Sequence, residues 1–131
     1  MITLTWADSE QTLLEWKFGQ RWSRIDFLIA CQKAQQMMTP INHPVDMLID
    51  LSIVRFYPTN LIYLIHTGLR MRNQNTGKVT VITESTLWSR LYQHFIQIYP
   101  MCALPIEFVS ADQKTVEILR LSGNSGKLMA V

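Results

Sequence analysis

A chain of 131 residues with 48% hydrophobic and 17% charged residues has the composition of one globular domain with an ordinary core, which excludes intrinsic disorder and any need for a covalent staple. Twelve Lys and Arg against ten Asp and Glu leave a formal net charge of +2, and the basic residues are scattered, so no nucleic-acid partner is expected. The opening MITLTWADSE has no basic stretch followed by an apolar one, and the most apolar run, NLIYLIHTGL, is far short of the ~20 residues a spanning helix needs, so neither a signal peptide nor membrane insertion is expected.

ITLTW and TLLEWKF are β-rich runs separated by ADSEQ, whose Asp8 and Ser9 suit a turn, and they predict an antiparallel hairpin. Gly19 ends the second strand. Ser23 then caps a helix in which Phe27, Ala30, Cys31, Ala34 and Met38 recur at helical spacing, and Thr39 and Pro40 stop it. VDMLIDL is a nearly continuous apolar run, the signature of a central parallel strand buried on both faces. A second helix is predicted from about Thr59 to Arg72, with Leu61, Leu64, Ile65, Gly68 and Leu69 facing inward and Tyr63, His66, Thr67 and Arg70 facing out. The strand KVTVIT follows the turn residues NQNTG, and then a helix in which Leu87, Leu91, Phe95 and Ile98 share the inward face. IEFVS is the last strand. Ser110 and Gln113 form a capping box for a final helix through Val116 and Leu119, which Gly123 ends. The order is β-β-α-β-α-β-α-β-α, read as one domain over residues 1–122 with a flexible tail over 123–131.

Catalytic chemistry is not legible in these residues. His43, His66 and His94 are dispersed, no pair of His or Cys has i, i+4 or C-x-x-C spacing, and no G-x-S-x-G elbow is present, so no metal, no cofactor and no enzymatic activity are expected. GNSGK at 123–127 lacks the spacing, the preceding strand and the hydroxyl of a phosphate loop. Asp46 and Asp50 point to one face of their strand, where Asp50 is better placed to accept backbone N–H groups than to act as a general acid or base. Arg70, Arg72 and Lys78 gather near a helix C-terminus, where the helix dipole favours cations. The four Trp are read as packing residues. Cys31 and Cys102, far apart, fit a reducing cytoplasm better than a disulfide scaffold, and Cys31 is read as core.

At DLSIVRFYPTNLIYL, preceded by the hairpin and followed by KVTVIT, the chain resembles the STAS-type domains, including bacterial anti-sigma-factor antagonists and SpoIIAA-like stand-alone proteins. Asp50, Leu51, Ser52, Val54, Phe56 and Leu61 match the family pattern, and RWSRIDFLIACQKA and HPVDMLIDLS resemble its SpoIIAA-like branch. The resemblance implies an α/β fold, a mixed sheet of four to five strands with helices packed largely on one side. It aligns the family's phosphoacceptor with Thr59, but Pro58 replaces the preceding Asp, Asn60 stands in the Ser-Gly region and the segment is one residue shorter, which weighs against a phosphoswitch. From the residues alone, the Thr59 hydroxyl is an N-cap worth about 1 kcal/mol.

The expectation is therefore a cytoplasmic, non-enzymatic regulatory domain that meets another protein, of the kinase or anti-sigma-factor-like kind, or a second copy as a homodimer. Its partner surface comprises Tyr57, Thr59, Asn60, Tyr63, His66 and Arg70. The alternative is a module for a small apolar or lipid-like ligand held between the helices and the sheet, as the similarity of this fold to lipid-carrying domains implies.

Overall fold

Asp8 organises the first turn. Its carboxylate accepts the backbone N–H groups of Thr12 at 2.9 Å and Leu13 at 3.2 Å, and the Thr12 hydroxyl as well. This closes a hairpin between β1 (Ile2–Trp6) and β2 (Leu13–Phe18) with Leu4 opposite Trp16. The computed structural model describes residues 1–98 and 106–110. After β2, Ser23 and Asp26 form the reciprocal capping box that starts α1 (Arg24–Met38), whose buried residues are Ala30, Cys31, Ala34 and Met38.

The remaining elements among the described residues are β3 (Val45–Asp50), α2 (Leu61–Arg70), β4 (Thr76–Ile82), α3 (Leu87–Ile98) and β5 (Ile106–Val109). The five strands lie in the order β1-β2-β3-β4-β5, with β1 antiparallel to β2 and every later pairing parallel. The apolar run at 45–50 is thus the central strand. The three helices α1, α2 and α3 pack on the face that carries Leu14, Trp16, Met47, Val79, Val81 and Phe108. Leu13, Leu48, Ile82 and Val109 form a second buried cluster on the opposite face. The Asn75 side chain ties α1 to the strands that follow by donating to the carbonyls of Met38, Ile41 and His43 at 3.1–3.3 Å.

Two local expectations are corrected. The second helix begins at Leu61 rather than Thr59 and ends at Arg70, because the chain makes a left-handed turn at Asn60 before the first helical hydrogen bond. Among the described side chains of α3, Trp88, Tyr92 and Ile96 pack on the core, while Leu87, expected inward, is 42% exposed. Phe95 and Ile98, the other end of the expected stripe, have side chains outside the described ones. The final helix expected after Ser110 and the tail over 123–131 lie outside the described residues.

Candidate functional site

The carboxyl ends of β2 and β3 are neighbouring ends of parallel strands, and the connections that leave them run side by side. Asp50 closes β3 by accepting the Ser52 N–H at 2.9 Å, in the turn role its position suggests. The connection then runs back against the segment between β2 and α1. Arg55 and Phe56 both donate to the Gln20 carbonyl, at 2.8 and 3.0 Å, and Arg21 and Phe56 form a single parallel bridge. Two loops are thereby stitched into one surface.

An open groove follows that seam, lined by Arg21, Arg24, Asp26, Phe56, Tyr57 and Thr59 among others. Phe56 leaves 54% of its surface exposed, and the Arg21 guanidinium carbon sits 4.5 Å from its ring centroid. Asp26 is committed to the helix cap. Its hydrogen bond from the Ser23 backbone holds its carboxyl below the ordinary value, with the Met1 ammonium 3.5 Å away adding to the effect. The two arginines therefore give the groove a basic character beside an exposed aromatic ring.

The structure divides the expected surface residues among three environments. Tyr57 is half-buried and wedged edge-on between Trp22 and Trp88, at centroid distances of 6.4 and 5.4 Å. Thr59 and Asn60 are exposed beside the groove. Asn60, at φ 60 and ψ 49, occupies the N-cap position of α2 and makes no side-chain cap bond. The Leu64 N–H donates to the Asn60 carbonyl at 3.1 Å, so Thr59 lies one residue outside the helix and is not its cap. Tyr63 and Arg70 are exposed and His66 is half-buried on the outer side of α2. A ten-residue helix spans ~15 Å, which places Thr59 and Arg70 at opposite ends of it rather than in one cluster. Arg21 and Arg24 were not foreseen, their one sequence signal being that they bracket a helix cap in RWSR, and Phe56 was singled out for its match to the family pattern but not as a surface residue.

Beneath the groove, between the sheet and the three helices, lies a cavity of about 160 Å³. Its lining includes Trp16, Trp22, Phe27, Cys31, Leu64 and Trp88. Burial in this apolar setting pushes the Cys31 thiol up to about 12. The indole N–H groups of Trp16, Trp22 and Trp88 are buried and have no hydrogen-bond partner among the described residues.

Among the described residues, no three His, Cys, Asp or Glu side chains are grouped to hold a metal ion, and no helix is long and apolar enough to cross a membrane. No family model and no curated protein matches this chain. In three dimensions it is similar to an anti-sigma-factor antagonist (STAS) domain protein from Planctomyces limnophilus. The TM-score is 0.55 at 18% sequence identity, and the match covers 92% of this chain and 97% of that one. The fold is that of a STAS domain. The mixed five-stranded sheet with its helices on one face, expected from DLSIVRFYPTNLIYL and its neighbours, is therefore what the chain forms.

Proposed function

We propose that this STAS-type domain is a non-enzymatic regulatory module of the cytoplasm that works by binding another protein along the groove between Arg21–Asp26 and Phe56–Thr59. The observation that carries the reading is the solvent-facing Phe56 ring beneath the Arg21 guanidinium, an aromatic and arginine pair of the kind enriched at interface centres. Ile53 and Tyr63, 58% and 53% exposed, extend the apolar character of this end of the domain. The description of the structural neighbour as an anti-sigma-factor antagonist supports a partner of the kinase or anti-sigma-factor-like kind. Tyr63, His66 and Arg70 form the outer flank of the same surface, and a second copy of the chain is one candidate occupant.

Affinity capture with the wild-type chain and with Phe56→Ala, Arg24→Glu, Tyr63→Ala and Arg70→Ala, alongside sedimentation of the purified protein, tests this reading. Loss of a stoichiometric partner, or of a dimer, in the Phe56 and Arg24 variants is the expected result. A partner retained by all four variants overturns it. Thr59→Glu tests the modification separately: unchanged capture together with an unmodified Thr59 in protein from cells removes the phosphoswitch.

A further inference from the structure

Among the described residues, every exposed large apolar side chain belongs to one end of the domain. Met1 lies where β2 leaves the sheet, its carbonyl accepting the Gly19 N–H, and Ile25 is in the first turn of α1, with Ile29 one turn further on. Ile53 and Phe56 belong to the connection that follows β3, Ile62 and Tyr63 to the first turn of α2, and Leu87 opens α3. Single exposed apolar residues are ordinary on a globular surface. Here they gather where three helices start.

This end is level. Lys17, Asp50, Ile82 and Val109 occupy one rung across four strands, so the connections leave the sheet at a common height. Tyr57, just ahead of α2, has its ring 6.4 Å from that of Trp22, ahead of α1, and 5.4 Å from that of Trp88 in the first turn of α3. One row of rings thus holds the three helix starts together. The groove takes up only part of the surface: Ile53, Arg55, Ile62 and Leu87 lie outside its lining. An occupant confined to the groove leaves them in water, whereas a plane laid on this end covers them.

The charge at this end is basic. Arg21, Arg24 and Arg55 are exposed there. The acidic residues at the same end are Asp26, held in the α1 cap, the exposed Glu84, and Asp50, which is buried and accepts the Ser52 N–H. A second copy set face to face on this end would bring arginine against arginine. Exposed apolar side chains interleaved with arginines on a level surface match the interface of a bilayer that carries anionic headgroups.

We propose that this end of the domain binds the surface of an anionic lipid bilayer, lying on it without crossing it. Ile53, Phe56, Ile62 and Leu87 enter the headgroup layer, and Arg21, Arg24 and Arg55 meet the anionic headgroups. The inference goes beyond the protein-binding reading and does not rest on it. Both occupants use Phe56 and Arg24, so one excludes the other.

The test is cosedimentation of the full chain with vesicles of phosphatidylcholine alone and of phosphatidylcholine mixed with phosphatidylserine, at physiological salt. Retention on the mixed vesicles only is expected, with release as the salt is raised. Phe56→Ala is expected to weaken binding about tenfold through lost apolar burial. Arg24→Gln and Arg55→Gln are each expected to weaken it about fivefold, the worth of one basic residue at an anionic surface. Lys33, about 14 Å further along α1 than Arg24, supplies the same charge change away from this end, and Lys33→Gln is expected to bind as the wild type does. All four side chains are exposed, and thermal unfolding of each variant verifies that it is folded. Equal retention on neutral vesicles, undiminished binding in the Phe56 and arginine variants, or a loss in Lys33→Gln as large as in Arg24→Gln overturns the proposal. So does a failure to bind the mixed vesicles, which together with protein capture that depends on Phe56 assigns this end to a protein partner alone.

Discussion

Asp46 and Gly77 meet so closely where β3 pairs with β4 that a side chain on Gly77 would collide with the Asp46 carboxylate. That carboxylate accepts the Lys78 N–H at 2.8 Å, next to the register shift between Val45 and Met47. The missing Cβ is what lets the carboxylate bridge the irregularity. Gly77→Ala is expected to destabilise the fold by about 1–3 kcal/mol through overpacking. Asp46→Ala, which strips an acceptor from a part-buried amide, is expected to cost about 1–3 kcal/mol, and Asp46→Asn less. Urea unfolding at constant m-value measures all three.

The start of α2 separates two residues that look interchangeable in sequence. Asn60 holds a left-handed backbone at φ 60, a region Gly enters freely and β-branched residues resist. Asn60→Gly is expected to be neutral or slightly stabilising, whereas Asn60→Val is expected to cost about 1–2 kcal/mol. Thr59→Ala is expected to change stability by less than about 0.5 kcal/mol, as for an exposed residue that makes no cap. A loss of 1 kcal/mol or more at Thr59 in thermal or urea unfolding would restore it as the cap.

The capping box of α1 has a pH signature. Ser23→Ala is expected to cost about 1 kcal/mol at neutral pH. The Asp26 carboxyl lies below its ordinary 3.8 in the folded chain, so its contribution is complete above that pH and is lost as the pH falls through the folded value. Stability curves of the wild type and Asp26→Asn are therefore expected to keep a constant separation above about pH 4 and to converge in stronger acid. Parallel curves over the whole range would exclude the linkage.

Cys31 provides the opposite sign. Burial raises its thiol from the ordinary 9.0 to about 12, so the folded chain keeps a proton that the unfolded chain releases. Its contribution to stability is constant below pH 9 and declines as the pH rises from there toward 12. In a Cys102→Ser background, a disulfide reagent at pH 8 is expected to modify Cys31 only as fast as the protein opens, and rapid labelling of the native chain would contradict the burial.

Much of this architecture was legible because strong local signals agreed with one another. The Asp8 turn, the Ser23 cap, the apolar run at 45–50 and the inward stripe of α2 each carry their own chemistry, and each is found in place. The α2 boundary was misread because Thr is a better cap residue by type than by position; only the backbone at Asn60 decides where the helix starts. The start of α3 was misread because Leu87 and Trp88 compete for the inward position of the first turn, and the Trp88 ring takes it while Leu87 stays exposed. The groove escaped sequence reading for a different reason: Arg21 and Phe56 are 35 positions apart and are joined through the Gln20 carbonyl, a backbone contact with no side-chain signature. The cavity between helices and sheet was anticipated only through the family resemblance, as the place of an apolar ligand, since a periodic apolar pattern specifies which side chains turn inward but not whether they fill the space they enclose.

The order β1-β2-β3-β4-β5 has every strand beside the one synthesised just before it. A chain leaving the ribosome therefore never needs to hold a gap open for a strand still to come. The hairpin supplies the first edge, and each crossover adds one strand to the newest edge while the helix between them covers the apolar face just created. Growth is one-directional: β1 stays at one edge throughout, and the most recently made strand is at every stage the other edge.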